Sequence, residues 1–200
     1  MKEERISLCG RSIRTFSLNT VVVGSGAAGL NAADRLVHFG QKDIALITEG
    51  WNMGTSRNTG SDKQTYYKLT LGGDTPDSVM DMAETLFKGG AMDGDIALAE
   101  AAMSVGCFHH LVEIGVPFPH NRFGEYVGYQ TDHDPRQRAT SAGPLTSRMM
   151  TECLQKQVLQ KKIRIFDGYQ AIAVLTNRDK SRAVGLLALD RNHPENPDDR

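Results

Sequence analysis

The sequence predicts an α/β fold with a parallel sheet, and three observations point to it. A short β-branched run at 20–23 is typical of a buried parallel strand. It leads into the glycine turn 24–29, G-S-G-A-A-G, and then into a segment with apolar residues at helical spacing, 30–39. A second apolar run, 43–48, predicts the next strand. Together these elements form a βαβ unit, which predicts a dinucleotide-binding site.

Each glycine of the turn has a physical role in such a unit. Gly24 permits the tight turn out of the strand, and Gly26 lets the backbone approach a pyrophosphate. Gly29 allows the helix to pack closely on the sheet, while the helix N-terminus offers N–H groups to the phosphates. Glu49 follows Gly29 by about 20 residues, the spacing expected of the acid that binds ribose hydroxyls.

Composition excludes several classes of protein. The chain has 200 residues, 40% of them hydrophobic, with a formal net charge of -1, which is enough for a globular domain with a core. This charge gives no reason to expect nucleic acid or an acidic membrane as a partner. No apolar run approaches the roughly 18 residues of a membrane span, and the charged N-terminus lacks the apolar core of a signal peptide. We therefore expect a cytoplasmic location.

The three cysteines are far apart and do not have the spacing of a metal site. Such a sparse set fits a reducing compartment, and we expect Cys107 and Cys153 to be buried small residues. His109 and His110 are adjacent and so point to different faces of a helix, which does not favour a metal pair. We expect no metal site.

The other elements follow from periodicity and breakers. Residues 1–18 are expected to form an arm or a short edge strand. The long segment 50–75 is aromatic enough to be ordered, so we expect this loop to touch the nucleotide. Helices are predicted from a cap at Thr75 or Asp77 to Gly89, and over 95–114 and 143–160. Strands are predicted over 162–166, 169–176 and 183–190, with a hairpin turn at 177–182.

Three stretches together resemble the N-terminal, FAD-binding part of the fumarate reductase and succinate dehydrogenase flavoprotein superfamily. They are V-V-V-G-S-G-A-A-G-L-N-A-A at 21–33, G-T-S-R-N-T-G-S-D-K at 54–63 and R-A-T-S-A-G-P-L-T-S-R-M-M at 138–150. The first stretch is shared by many flavin and nicotinamide proteins, whereas the ordered set of three is specific.

The resemblance implies a Rossmann-like FAD-binding domain over residues 1–200, with a parallel sheet and a later antiparallel β insertion. It implies a flavin-dependent oxidoreductase that transfers hydride between flavin N5 and a small-molecule carboxylate substrate, with an electron-donating subunit or protein as partner. The family's capping domain and catalytic residues would lie beyond residue 200, so the sequence is expected to be a fragment.

The resemblance also implies roles for individual residues. The pyrophosphate would be surrounded by Gly24, Ser25, Gly26, Ala27, Ala28 and Gly29, and the adenosine ribose would be bound by Glu49. The backbone of Ala171 would contact adenine. The flavin side would be lined by Thr55, Ser56, Gly60, Ser61 and Asp62. Since Thr55 stands where some members carry a histidine that binds flavin covalently, we expect non-covalent FAD.

Two other functions fit parts of the sequence. An NAD(P)-binding dehydrogenase domain would use the same βαβ unit, although it has no obvious use for the loop after Glu49. A non-catalytic flavin-binding module is supported only by the short length. The charged segment containing His133, Asp134, Arg136 and Arg138 could face a flavin and an anionic substrate, but a solvated surface loop is the favoured interpretation.

Overall fold

The computed structural model describes residues 1–61, 64–131 and 134–192. These residues divide into two compact units. The first contains Met1–Asn58 and the residues from Leu154 onward, and the second contains Thr59–Cys153.

The described residues form strands and helices in the order expected of a mixed α/β protein. The strands are β1 Lys2–Leu8, β2 Arg11–Ser17, β3 Thr20–Val23, β4 Ile44–Thr48, β5 Tyr66–Tyr67, β6 Ala139–Thr140, β7 Arg164–Asp167, β8 Tyr169–Thr176 and β9 Ala183–Asp190. The helices are α1 Ala27–His38, α2 Thr55–Asn58, α3 Val79–Lys88, α4 Gly94–Glu113 and α5 Thr146–Gln160.

The first unit contains a parallel sheet in the order β3-β4-β7. All five residues of the central strand β4 are buried, and α1 contributes the fully buried Leu30 and Ala33. The α/β class and the parallel sheet predicted from the sequence are therefore confirmed. The expectation that β3 is buried was wrong in part, because β3 is at the end of the sheet order. Val22 is buried, but Val21 and Val23 are exposed.

Residues 1–18 form an antiparallel hairpin of β1 and β2. Its turn, Cys9 and Gly10, has positive φ angles at both residues (50° and 76°), as a type I′ hairpin turn requires. The ring of Phe16 packs 4.8 Å from the ring of Phe166, and Phe166 lies in the core cluster with Ala45 and Ile47. Burial of this aromatic side chain anchors the hairpin to the sheet.

The antiparallel insertion predicted at the end of the chain is the hairpin of β8 and β9. Both strands have the bounds that the sequence predicts. Their connection is closed by two backbone hydrogen bonds, from Asn177 N–H to the Arg182 carbonyl and from Lys180 N–H to the Asn177 carbonyl, each 3.0 Å long.

In the second unit, α3 and α4 each begin at a side-chain cap. The hydroxyl of Ser78 accepts a hydrogen bond from Asp81 N–H at 3.1 Å, and Asp93 caps α4 in the same way. The predicted cap of α3 at Thr75 or Asp77 was therefore wrong. Asp77 is not the cap because its carboxylate binds Arg138 and the N–H groups of Thr70 and Ser78.

An aromatic cluster centred on Phe108 of α4 forms part of the core of this unit. The Phe108 ring has no exposed surface, and the rings of Tyr66, Phe118, Tyr126 and His109 lie 4.9 to 6.0 Å from it. The adjacent Cys107 is exposed, and Cys153 is half-buried, so the expectation that both cysteines are buried was wrong. Neighbouring residues on a helix point about 100° apart, and at this turn the inward position belongs to Phe108.

Lys68 is a buried cation in the same cluster. Its side chain has no exposed surface, and its Nζ lies 4.8 Å from the centroid of the Phe108 ring and 3.4 Å from the Leu69 carbonyl oxygen. Burial lowers the pKa of Lys68 from 10.5 to about 8, because transfer from water disfavours the charged amine. The cation–π contact compensates this cost only in part.

Lys68→Met should stabilise the protein at pH 7 by on the order of 2 kcal/mol, because the substitution removes a buried charge. The folded-state pKa is below the unfolded value of 10.5, so the cost is fully present below pH 8 and disappears as the pH rises towards 10.5. The advantage of the variant should shrink over that window, as measured by urea unfolding at each pH.

Lys88→Met is the matched control, because Lys88 is an exposed lysine on α3 that pairs with Glu84. It should change stability by less than about 1 kcal/mol with little dependence on pH. Parallel pH profiles for Lys68→Met and the wild type would contradict the buried-charge assignment.

Candidate dinucleotide-binding site

A cleft of about 380 Å³ opens in the first unit where the carboxyl ends of β3 and β4 meet the start of α1. Ligands of open parallel sheets bind at this edge. The cleft is lined by Val23, Gly24, Ser25, Gly26, Ile47, Thr48, Glu49, Met53, Gly54, Tyr169 and Ala171. Five residues proposed from the sequence are thus brought together: Gly24, Ser25, Gly26, Glu49 and Ala171.

The floor of the cleft is the glycine turn. Gly24 has a φ of +98°, a left-handed conformation that favours glycine, and its N–H donates to the Ile47 carbonyl at 2.7 Å. A Cβ atom on Gly29 would lie 2.0 Å from the carbonyl oxygen of Gly24. Any side chain at Gly29 would therefore push α1 away from the end of β3.

The N-terminus of α1 fits a phosphate. Gly26 is the N-cap and has no side chain to cap the helix, and the first turn carries no acidic residue. The N–H groups of Ala27, Ala28 and Gly29 precede the first i→i−4 bond, which runs from Leu30 N–H to the Gly26 carbonyl at 3.0 Å. A Cβ on Gly26 would meet no atom within 4 Å, so the space beside the turn is open.

Ser25 has a structural role that the sequence did not reveal. Its hydroxyl is buried, lies 2.9 Å from the hydroxyl of Thr48 and donates to the Gly50 carbonyl oxygen at 3.1 Å. These contacts join the glycine turn to the end of β4. Because the hydroxyl already makes these contacts within the protein, the group that Ser25 can offer to a ligand in the cleft is its backbone.

Glu49 lies at the mouth of the cleft and is paired with an arginine far away in the sequence. Nη1 of Arg191 lies 3.0 Å from Oε2 of Glu49, and the two side chains are about half exposed, at 52% and 45%. The carboxylate thus faces solvent next to the cleft.

The loop after Glu49 returns to the glycine turn. Its backbone is fixed at Trp51, whose N–H donates to the Asp167 carboxylate and whose carbonyl accepts from the Gln155 amide, both at 2.8 Å. Gly54 has a φ of +109°, and a Cβ built on it would lie 3.5 Å from the Cα of Gly26.

This close approach places Met53 and Gly54 of the loop in the cleft wall. The sequence predicts that the loop touches the nucleotide, but these two residues were not among those proposed as contacts. Thr55 and Ser56 follow directly in the single turn of α2, with Thr55 exposed and Ser56 half-buried. They do not line the cleft of the first unit, although they adjoin two residues that do.

β8 forms another wall of the cleft, through Tyr169 and Ala171. The pKa of Tyr169 is raised, first by burial and then by the carboxylate of Asp190, its partner across the hairpin. Sequence reasoning missed Tyr169, although alternation along a strand places it on the same face as Ala171.

The remaining residues proposed for the flavin side lie in the second unit. Ser61 N–H donates to the Pro144 carbonyl at 3.0 Å, and a Cβ on Gly60 would lie 3.0 Å from the side chain of Leu145. Both residues therefore contact the segment that leads into α5. Asp62 lies outside the described residues.

The interpretation of the charged segment near 134–138 as a solvated loop was wrong. The Arg138 side chain has no exposed surface, and Asp134 is also buried. Arg138 makes a two-point contact with Asp77, at 2.8 and 2.7 Å, and its Nη1 donates to the hydroxyls of Tyr67 and Thr85. His133 lies outside the described residues.

In this network, the effect of charge pairing on the pKa values of Asp77 and Arg138 is larger than the opposing effect of burial. Burial alone would raise the pKa of Asp77, but hydrogen bonds from Arg138 and from the backbone of Thr70 and Ser78 lower it to about 2. Burial opposes the charge of Arg138, yet Asp77 and Tyr67 raise its pKa. The network is an internal brace of the second unit, satisfied by its own partners.

The fold and the cleft define a dinucleotide-binding α/β protein. The chain belongs to the FAD binding domain family, whose sequence model matches residues 19–198. The match confirms the FAD-binding domain that the three sequence stretches imply, and it identifies FAD as the cofactor. A search of curated proteins found no match to the chain.

Solved structures share the fold at low sequence identity. A variant of the E. coli quinol fumarate reductase FrdA superposes with a TM-score of 0.73 at 20% identity, over 88% of this chain and 29% of that one. Mycobacterium smegmatis Sdh1 in complex with UQ1 gives 0.71 at 18% identity, over 86% and 30%.

A third relative is the 3-ketosteroid-delta4-(5alpha)-dehydrogenase from Rhodococcus jostii RHA1 in complex with 4-androstene-3,17-dione, with a TM-score of 0.64 at 18% identity, over 88% and 42%. The chain thus spans about a third of the length of these structures. The described residues contain no helix long and apolar enough to cross a bilayer. Within the same ranges, no three His, Cys, Asp or Glu side chains are grouped to hold a metal ion.

Gly29→Ala should destabilise the first unit by about 3 kcal/mol, because the new Cβ would overlap the Gly24 carbonyl oxygen. Gly26→Ala is the matched control, since its φ of −75° suits alanine and its Cβ meets no atom. It should stay within about 0.5 kcal/mol of the wild type in thermal unfolding. Equal losses for the two variants would contradict the close contact.

Arg138→Met should destabilise the second unit by roughly 3–5 kcal/mol, because it leaves Asp77 and Asp134 buried without a cation. Arg148→Met removes a half-exposed arginine that pairs with Glu152 and should cost under about 1 kcal/mol. Urea unfolding compares the two variants. A small effect of Arg138→Met would mean that the carboxylates find other partners or protonate.

Proposed function

We propose that this chain is the FAD-binding part of a flavin-dependent oxidoreductase of the fumarate reductase and succinate dehydrogenase type. The observation that carries the proposal is the match to the FAD binding domain family. The matched residues include a cleft bordered by a helix N-terminus that has no side-chain cap. Structures named as a fumarate reductase and a ketosteroid dehydrogenase share its fold, which supports redox chemistry.

The phosphates of FAD would be held by the turn and by α1. The N–H groups of Ala27, Ala28 and Gly29 are available to a ligand, and the positive end of the helix dipole favours an anion there. Gly24 and Gly26 keep the turn free of side chains, so that the backbone can come close to the pyrophosphate. The hydroxyl of Ser25 braces the turn from below.

The adenosine would lie against Glu49 and β8. The carboxylate of Glu49 would accept hydrogen bonds from the ribose, and the backbone of Ala171 would contact adenine. On the flavin side, Thr55, Ser56, Gly60, Ser61 and Asp62 retain their proposed roles from the resemblance. Small hydroxyl and glycine residues let backbone amides donate to a flavin and so stabilise the charge of its reduced form.

Bound FAD would supply hydride chemistry at N5, and we assign a small carboxylate as substrate. An electron-donating subunit or protein would be the redox partner. Thr55 has a hydroxyl in place of the histidine that binds flavin covalently in some members, which supports non-covalent FAD. We assign no catalytic residue to the chain.

The purified protein should show flavin absorption bands, and acid precipitation should release all of the flavin into the supernatant. Yellow colour retained in the pellet would contradict non-covalent binding and the role of Thr55. A protein that remains colourless and shows no saturable FAD binding by isothermal titration calorimetry would contradict the proposed cofactor site.

Gly26→Val should reduce FAD affinity by at least about 100-fold, because its side chain would occupy the space that the pyrophosphate needs. The fold should survive, since a Cβ at Gly26 meets no protein atom. Titration calorimetry measures the affinity, and circular dichroism confirms the fold. Unchanged affinity would show that the pyrophosphate lies elsewhere.

The proposed reaction is tested separately from binding, in a longer chain that includes the catalytic residues expected beyond residue 200. Flavin in the loaded protein is reduced anaerobically, and fumarate is added while the absorbance of oxidised flavin is followed. Reoxidation by fumarate, and not by acetate at the same concentration, supports a carboxylate acceptor. Reoxidation by oxygen alone would contradict it while leaving the FAD site intact.

A further inference from the structure

The pair of Glu49 and Arg191 joins two segments that are 142 residues apart in the sequence. Arg191 follows the last residue of β9, whereas Glu49 follows the last residue of β4. No part of the dinucleotide motif includes Arg191, and sequence reasoning did not identify it.

The backbone around Arg191 is held firmly. Its N–H donates to the Gly168 carbonyl at 2.9 Å. The neighbouring Asn192 receives support from two sides, since its N–H donates to the Asp190 carboxylate at 2.9 Å and its amide donates to the Asp167 carbonyl at 2.8 Å. The guanidinium therefore extends from a fixed base beside the wall of the cleft formed by Tyr169.

The contact is suited to positioning the carboxylate of Glu49. Nη1 of Arg191 engages Oε2, and the carboxylate has a second oxygen, Oε1, that can accept hydrogen bonds from a ribose. A glutamate exposed at the mouth of a cleft would otherwise sample several rotamers, and ordering it costs free energy on binding. Arg191 also offsets the repulsion between Glu49 and the phosphates of a dinucleotide.

We propose that Arg191 is a positioning residue of the dinucleotide site, which holds Glu49 in the orientation that binds the 2′-hydroxyl of the adenosine ribose. The proposal rests on the proposed function of Glu49 and adds to it a residue from the far end of the second hairpin.

The test is the affinity of the protein for ADP and for 2′-deoxy-ADP, measured by titration calorimetry at low salt. Arg191→Gln should weaken ADP binding about two- to fivefold, the range that exposed ion pairs support. It should change 2′-deoxy-ADP binding by less, because that ligand lacks the hydroxyl. Arg191→Lys should recover part of the loss, since it restores the charge.

The matched control is Arg182→Gln, which removes an equal charge from an exposed arginine in the turn at the other end of the β8–β9 hairpin. Its ADP affinity should equal that of the wild type. The double variant with Glu49→Gln provides a thermodynamic cycle. With Glu49 neutralised, Arg191→Gln should have no further effect on ADP.

Three outcomes would overturn the positioning role. Unchanged ADP affinity in Arg191→Gln would show that the pair does not matter, and tighter binding would show that Arg191 competes with the ribose. An equal loss in the Glu49→Gln background would show that Arg191 acts on the phosphates directly. Failure of the proposed function is distinguished by the wild type, which would then bind neither FAD nor ADP.

Discussion

The close approach of Gly29 to the carbonyl of Gly24 is the constraint on which the cleft depends. It places the first turn of α1 directly beside the end of β3, so that the helix begins at Gly26, a residue that lines the cleft. The buried contact of Ser25 with Thr48 then ties the turn to β4. A ligand site made of main-chain groups requires this rigidity, because backbone amides cannot be reoriented by a change of rotamer.

Two buried cations of the second unit differ in the direction in which their pKa is shifted. Arg138 is surrounded by acceptors that match its planar fork, so its charge is retained within the core. Lys68 has an aromatic face and one distant carbonyl, and its pKa falls to about 8. The same depth of burial thus produces a stable brace in one case and a cost to stability in the other. Partner geometry accounts for the difference.

Local patterns were sufficient to predict most of the fold. The βαβ unit, the later helices and the β8–β9 hairpin follow from periodicity and turn residues, and their predicted ends lie close to the observed ones. The cleft residues of the glycine turn followed from their motif. Contacts between distant segments could not be predicted. Arg138 is buried because it pairs with Asp77, which is 61 residues away in the sequence, and Arg191 pairs with Glu49, which is 142 residues away. Neither spacing leaves a periodic signal.

The fixed backbone at Trp51 has a practical consequence. Trp51 is the one tryptophan of the chain, and it precedes by two residues the loop segment that lines the cleft. Hydrogen bonds of its N–H with Asp167 and of its carbonyl with Gln155 fix its backbone next to that segment. Indole emission overlaps the near-ultraviolet absorption of an isoalloxazine ring, so the protein carries its own fluorescent reporter of cofactor occupancy, without any added label.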